Sequence, residues 1–167
     1  TPNSNGGYNE SVVYAFPGGA GGQSPEVTPL LDSSGAIYGT TLEGGGSRDY
    51  GIFFKLIPSG SQFIVANLYI FQGGRDGASP WAGLVALQGG VIVGATLSGG
   101  SKNQGTIFEM KPHGSSYTES VRYAFKGGKK DGSAPYGTLL VGNDGLLYGT
   151  TGNAGLHAGG IALKVKP

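Results

Sequence analysis

Three residues spaced fifty-five positions apart are the first candidates for ligand contact in this chain. Glu26, Trp81 and Tyr136 each follow a proline, and two of the three are large and aromatic. Aromatic rings pack on the apolar faces of sugars while neighbouring polar groups bind the sugar hydroxyls. The residue types and their spacing therefore predict a carbohydrate site with an aromatic rim. In the competing interpretation, Trp81 and Tyr136 are wedges that pack between structural units.

Charged side chains occur close to these positions. Asp76 and Asp131 each lie shortly before one of the prolines, Arg75 adjoins Asp76, and Arg48 belongs to a separate glycine-rich segment. An Asp before Gly commonly binds backbone amides and holds a turn, so a structural role competes with ligand binding at both carboxylates. Arg75 and Arg48 are candidate contacts for an acidic glycan, and the alternative for both is plain solvated loop charge.

His157 is the candidate for proton transfer, because imidazole exchanges protons near neutral pH. The chain has two histidines and no cysteine, so neither a Ser-His-Asp relay nor a thiolate or three-His metal site is visible in it. We therefore expect binding without catalysis, and neither a metal nor another cofactor. The enzyme alternative is a polysaccharide lyase or glycoside hydrolase, using a tyrosine, His157 and Arg48 or a pair of carboxylates. A purely structural or protein-interaction module is the third hypothesis.

The overall composition narrows the class of partner. Eleven basic and ten acidic residues give a formal net charge of +1, which argues against nucleic acid held by counterion release. No apolar stretch approaches the roughly 20 residues that span a bilayer, so no membrane span is expected. Thirty-five glycines without a three-residue period are typical of many short strands joined by tight turns.

The same step of fifty-five residues defines the organisation of the whole chain. Pro25, Pro80 and Pro135, here called the marker prolines, begin three repeats at residues 25–71, 80–125 and 135–167 of a single repeat domain. Each repeat reads as four short strands, A to D, which is the size of one propeller blade. The segment that matches strand D of the third repeat lies at residues 11–16, ahead of the first repeat. Such a displaced strand is typical of a ring of blades that closes on itself.

The strand order also predicts where the candidate residues meet. In a four-stranded blade the D-to-A connections and the B-to-C loops emerge on the same side. These segments, here called the loop face, are residues 18–25, 73–80 and 127–135 together with residues 42–50, 97–104 and 152–158. Because binding residues usually lie on irregular loops held by a rigid scaffold, we expect the carbohydrate site on the loop face.

Three motifs recur in a fixed order and give the chain a family resemblance. They are an FxGGxDGxxP segment at residues 71–80, a YGTT segment at residues 38–41 and 148–151, and a GT(I/V)F segment at residues 105–108. In these motifs the chain resembles the GloVer-type "choice-of-anchor" tandem-repeat proteins over essentially its whole length. The resemblance implies secretion or surface display and a propeller fold. Residues 20–23 depart from the pattern by losing the Asp, and residues 159–162 stand where GTIF is expected.

The number of repeats raises a geometric problem, because closed propellers usually have about four to eight blades. We therefore predict an all-β, six-bladed propeller formed by a homodimer, in which residues 11–16 of each chain complete the third blade of the other. The alternative is a single-chain, pseudo-threefold barrel of the β-trefoil type, which needs no partner.

Overall fold

The computed structural model describes residues 6–166 and shows an all-β chain. The described residues form short strands joined by tight turns, with 3₁₀ turns at Gly19–Gly21 and Gln88–Gly90. The strands are β1 (Leu30–Leu31), β2 (Ile37–Thr41), β3 (Ile52–Ser59), β4 (Gln62–Ile70), β5 (Gly77–Pro80), β6 (Val85–Ala86), β7 (Ile92–Gly99), β8 (Thr106–His113), β9 (Ser116–Ala124), β10 (Gly132–Ser133), β11 (Leu140–Val141), β12 (Leu147–Thr150), β13 (Asn153–Ala154) and β14 (Ala162–Val165). Within residues 6–166, no helix is long and apolar enough to cross a membrane.

Each repeat forms its own antiparallel sheet. Repeat one has the strand order β1-β2-β3-β4, and repeat two has the order β5-β7-β8-β9 with β6 also paired to β7. Repeat three has the order β11-β12-β14, with a separate pair of β10 and β13. No sheet in the described part of the chain closes into a barrel, which argues against the trefoil-type alternative.

The long C-to-D hairpins follow directly from the sequence. Strand β9 alternates exposed and partly buried side chains, which is the period of two expected for a strand with one covered face. The two-residue turns at Gly60 and Gly114 both have a φ of 63°, a conformation that glycine adopts without steric cost. Repeats one and two therefore share the same hairpin geometry.

Strand A is interrupted rather than continuous. In repeat two the single strand β7 pairs with two short pieces, β5 before the marker proline and β6 after it. Between them, the N–H groups of Trp81 and Ala82 both donate to the Ala95 carbonyl, at 3.3 and 3.4 Å. Two residues opposite one carbonyl form a bulge, which bends the strand and redirects its side chains. This bend is the local feature that positions Trp81.

The threonine of the YGTT motif ties strand B to strand C. The Thr96 hydroxyl accepts a hydrogen bond from the Thr106 N–H at 3.1 Å and donates one to the Ser98 carbonyl at 2.8 Å. Thr41 and Thr151 make the corresponding pairs of bonds in their own repeats. The recurrence of this residue is therefore explained by the fold.

Repeat three follows the pattern with a register that differs from the sequence alignment. Leu163 pairs with Gly149, as Phe108 pairs with Gly94 in repeat two. The counterpart of GTIF is therefore residues 160–163, and the assignment to residues 159–162 is wrong by one position. The glycine of the motif corresponds to Gly160, whose φ of 86° is the left-handed conformation that favours glycine.

Residues 11–16 form no strand in the single chain, although the side chains of Tyr14 and Phe16 are partly buried. The Phe16 ring lies 4.9 Å from the Phe54 ring of repeat one, and 4.9 Å from the ring of Tyr14. In the same way, Phe71 of repeat one lies 5.2 Å from Phe108 of repeat two. Each strand-D phenylalanine thus packs on strand C of the following repeat, and residues 11–16 already lie where a strand D before repeat one would lie.

Candidate functional site

The structure brings Trp81 and Tyr136 together at the junction of repeats two and three. Their ring centroids are 6.2 Å apart and their planes are nearly perpendicular, at 88°. Tyr136 has 48% of its surface exposed, and Trp81 is half-buried. The pair is therefore in mutual contact and partly open to solvent.

The residues before the marker prolines fix this junction through the backbone. Ser79 and Ala134 have positive φ values of 55° and 52°, and their N–H groups donate at 3.0 Å to the carbonyls of Tyr50 and Gln104 in the preceding repeat. Left-handed conformations at residues other than glycine are uncommon and persist where surrounding contacts enforce them. The position of each following ring is therefore set by a strained but hydrogen-bonded main chain.

Gly152 gives the Tyr136 ring its place against the loop. A Cβ atom at Gly152 would lie 2.5 Å from the ring, a distance that real side chains do not reach. The ring therefore lies directly over the backbone of the B-to-C loop of repeat three. This close approach orients one edge of the tyrosine toward Trp81.

The carboxylates of Asp76 and Asp131 hold their own loops. Asp76 Oδ2 accepts hydrogen bonds from the Gln72 N–H at 2.7 Å and the Tyr69 hydroxyl at 3.0 Å. Asp131 Oδ2 accepts the equivalent bond from the Tyr123 hydroxyl at 3.1 Å, together with one from the Lys126 N–H. These contacts favour the turn-holding interpretation over direct ligand contact, and burial is the main cause of the raised pKa of both tyrosines.

The remaining predicted contacts are more scattered. Arg75 and His157 are exposed in their loops, and Glu26 is exposed beside the first marker proline. Arg48 donates a long bond of 3.5 Å to the Gln72 carbonyl at the edge of a cavity of about 270 Å³. The structure therefore brings together Trp81 and Tyr136, while it shows no contact between them and these charged side chains. Among the described residues, no group of His, Asp and Glu is arranged to hold a metal ion.

A carboxyl pair that the sequence did not reveal lies between repeats one and two. Glu119 on β9 lies beside Asp76, and Asp76 Oδ1 and Glu119 Oε1 are both buried without a hydrogen-bond partner. Burial, with the neighbouring Asp76 carboxylate, raises the pKa of Glu119 to about 7. Glycosidases of the retaining type need carboxyl groups about 5 Å apart, so this contacting pair suits a shared proton rather than glycoside cleavage.

A cavity larger than the one beside Arg48 lies away from the loop-face candidates, between repeats two and three. Its volume is about 620 Å³, and its walls include Leu87, Glu109, Arg122 and Val141. Glu109 is almost completely buried and accepts a hydrogen bond from Arg122 Nε at 2.8 Å. Sequence reasoning missed this ion pair because repeats one and three carry Lys55 and Lys164 at the position of Glu109.

Comparison with known proteins gives a family match. Residues 2–167 match the family model described as the Gloeobacter/Verrucomicrobia repeat, in agreement with the resemblance carried by the three motifs. The search of curated proteins finds no match to the chain.

Proposed function

Because the chain belongs to the Gloeobacter/Verrucomicrobia repeat family, we propose that its repeats are propeller blades that bind carbohydrate on the loop face. The observation that carries the proposal is the Trp81–Tyr136 pair, with ring centroids 6.2 Å apart and Tyr136 48% exposed. Two perpendicular rings present one flat face and one edge. The apolar face of a sugar can stack on the flat ring, while its hydroxyl groups bind polar partners. The proposed ligand is an oligosaccharide or polysaccharide.

The polar surroundings of the pair support binding rather than catalysis. Asp76 and Asp131 are occupied by their own loops, and His157 is exposed in a loop whose siblings carry Arg48 and Lys102. A binding module needs no single asymmetric set of acid and base, since several similar sites gain from avidity. We propose that the protein acts in this way outside the cell or on its surface.

The proposed assembly is a six-bladed propeller made by two copies of the chain. Its support is that β3 and β8 each pair with a strand D, whereas β14 pairs only with β12 in the described residues. An open strand edge readily accepts another strand, and residues 11–16 carry the strand-D pattern. Two copies related by a twofold axis can exchange this segment twice.

A glycan array tests the proposed function. The unaltered protein is expected to bind at least one class of glycan without releasing reducing or unsaturated ends. Trp81→Ala and Tyr136→Ala should each weaken that binding by about tenfold or more, because truncation of a central aromatic contact removes most of its binding energy.

The matched control is Leu156→Ala, at a residue that is 68% exposed on the same loop face. It should leave glycan affinity unchanged, and circular dichroism should show that all three variants are folded. Unchanged affinity in folded Trp81→Ala and Tyr136→Ala would contradict the proposed site, and a polysaccharide that is cleaved would install the enzyme alternative.

A further inference from the structure

Residues Tyr8–Phe16 repeat the sequence of strand D in repeat two almost residue for residue. Seven of nine positions are identical between residues 8–16 and residues 117–125, including Tyr8 with Tyr117, Glu10 with Glu119 and Phe16 with Phe125. The match therefore extends three residues ahead of residues 11–16, to side chains that are largely exposed in the single chain. Tyr8 itself is 82% exposed.

Tyr117 occupies a site on the surface of repeat one, and the equivalent site on repeat two is a cavity. Tyr117 packs between rings of repeat one, with centroids 5.4 Å from Phe53 and 6.1 Å from Tyr38, beside Lys55. The residue of repeat two at the position of Lys55 is Glu109, which lines the cavity of about 620 Å³. A strand D placed on β14 would bring its first tyrosine to this cavity, where Leu87 and Val141 offer apolar walls.

The carboxyl groups show a matching pattern across the three junctions. The loop position occupied by Asp76 is Gly21 in repeat one and Asp131 in repeat three. The strand-D position of Glu119, which contacts Asp76, is Val65 in repeat one. A repeat with Asp in the loop thus has Glu in strand D, and a repeat with Gly in the loop has Val in strand D. By the same register, Asp131 of repeat three should face Glu10.

We propose that Tyr8–Phe16 of a second copy of this chain forms strand D on β14, with Tyr8 in the cavity and Glu10 sharing a proton with Asp131. This inference rests on the two-copy assembly of the proposed function and is independent of glycan binding. The twofold relation places two such Glu10–Asp131 contacts in each dimer. Each interface therefore contains a paired strand and a carboxyl contact that depends on a proton. The Glu10–Asp131 contact, with Tyr8 in the cavity, is here called the latch.

The sign of the pH dependence follows from the pair already present within the chain. Burial, together with the neighbouring Asp76 carboxylate, raises the pKa of Glu119 to about 7. The Tyr69 hydroxyl donates to Asp76, and Arg75 adjoins Asp76 in the sequence. Asp131 likewise accepts from the Tyr123 hydroxyl at Oδ2, while its Oδ1 accepts from the Gly132 N–H, and Lys129 and Lys130 lie in its loop.

A carboxyl group whose pKa is higher in the dimer than in the free chain takes up a proton on association. Dimerisation is therefore strongest at mildly acidic pH and weakens as the pH rises, until the pair has lost its shared proton and both carboxylates are charged. Above that range the dependence levels off.

Sedimentation of the full chain between pH 5 and pH 8 tests the latch. The dimer should have about twice the 16.9 kDa mass of the chain, and its dissociation constant should rise by about tenfold or more across this range. Glu10→Gln should abolish the pH dependence and tighten the dimer at pH 8, because an amide donates to Asp131 without taking up a proton.

Glu119→Gln is the matched control, since it removes the same pair within one chain. It should leave the pH dependence of dimerisation unchanged. Tyr8→Ala should weaken the dimer about tenfold at every pH, through loss of apolar contact in the cavity.

The outcomes separate the two proposals. A monomer at all pH values would overturn both the assembly and the latch. The latch would be overturned if dimerisation remained pH-dependent in Glu10→Gln, or if Tyr8→Ala left the stability of the dimer unchanged. Neither result would contradict the six-bladed assembly. Glycan binding is read separately on each variant.

Discussion

Repeats two and three share a sequence pattern but differ in the burial of strand C. Residues 106–110 of β8 are all buried, whereas β14 alternates exposed and partly buried side chains. The difference is that β9 covers one edge of β8, while β14 has a paired strand on one side only in the described residues. A repeat therefore obtains its core from the next strand and the neighbouring repeat, and its own sequence pattern is not sufficient.

The largest expected effect comes from truncating the strand-C residue at the equivalent position of each repeat. Phe108→Ala should lower the free energy of unfolding by about 3–5 kcal/mol, because Phe108 is fully buried between repeats one and two. Leu163→Ala, at the equivalent but half-exposed position, should cost about 1 kcal/mol in the single chain. Chemical denaturation measures both values, and equal losses would show that the two strands are buried alike.

A smaller effect is expected from the threonine that links strands B and C. Thr96→Val should cost about 1–3 kcal/mol, because it leaves the buried Thr106 N–H and Ser98 carbonyl without a partner. Thr151→Val should cost less, since the Ile161 N–H it leaves lies in a more exposed strand.

Thr40→Val provides the control for the threonine series. The Thr40 hydroxyl is buried without a hydrogen-bond partner, so its removal should be neutral or stabilising in thermal and chemical denaturation. A loss as large as that of Thr96→Val would mean that burial of the β-branched side chain, rather than the hydroxyl, accounts for the motif.

The smallest effect concerns the pH dependence of unfolding. Burial and the neighbouring Asp76 carboxylate raise the pKa of Glu119 to about 7 in the folded chain, above its usual range, so the stability of the chain should fall as the pH rises through the weakly acidic range to about 7. The expected change is about 1 kcal/mol, because the pair is only half-buried and solvent screens it. Glu119→Gln should flatten this decline, and Glu26→Gln, at an exposed carboxylate, should leave it unchanged. A decline that persists in Glu119→Gln would assign it to another group.

Much of the fold follows from the sequence because the repeat fixes what recurs. The step of fifty-five residues predicted all-β repeats, and the abundant glycines predicted short strands joined by tight turns, of which Gly60 and Gly114 are observed examples. The interruption of strand A was not predictable, since it depends on two N–H groups, of Trp81 and Ala82, sharing the Ala95 carbonyl. Such a bulge depends on which backbone groups form hydrogen bonds with each other, and the residue types do not indicate this.

The site was predictable only in part for a related reason. Trp81 and Tyr136 stood out as aromatic residues at equivalent positions, and the structure places their rings in contact. The Glu119–Asp76 pair was missed because it joins a strand to a loop from the preceding connection, forty-three residues earlier in sequence. A comparison of repeats one and two would have found the pair. Repeat two has Glu119 in strand D and Asp76 in its loop, whereas repeat one has Val65 and Gly21 at these two positions.

The backbone bonds at the marker prolines have a consequence for how such a protein can diversify. The Ser79 N–H to Tyr50 carbonyl bond, and its counterpart from Ala134 to Gln104, join neighbouring repeats without using any side chain. Substitutions at the residues after the prolines therefore leave the spacing of the units intact. The residues that follow the prolines can then change one repeat at a time, and new loops can be grafted between these backbone bonds without altering how the repeats are joined.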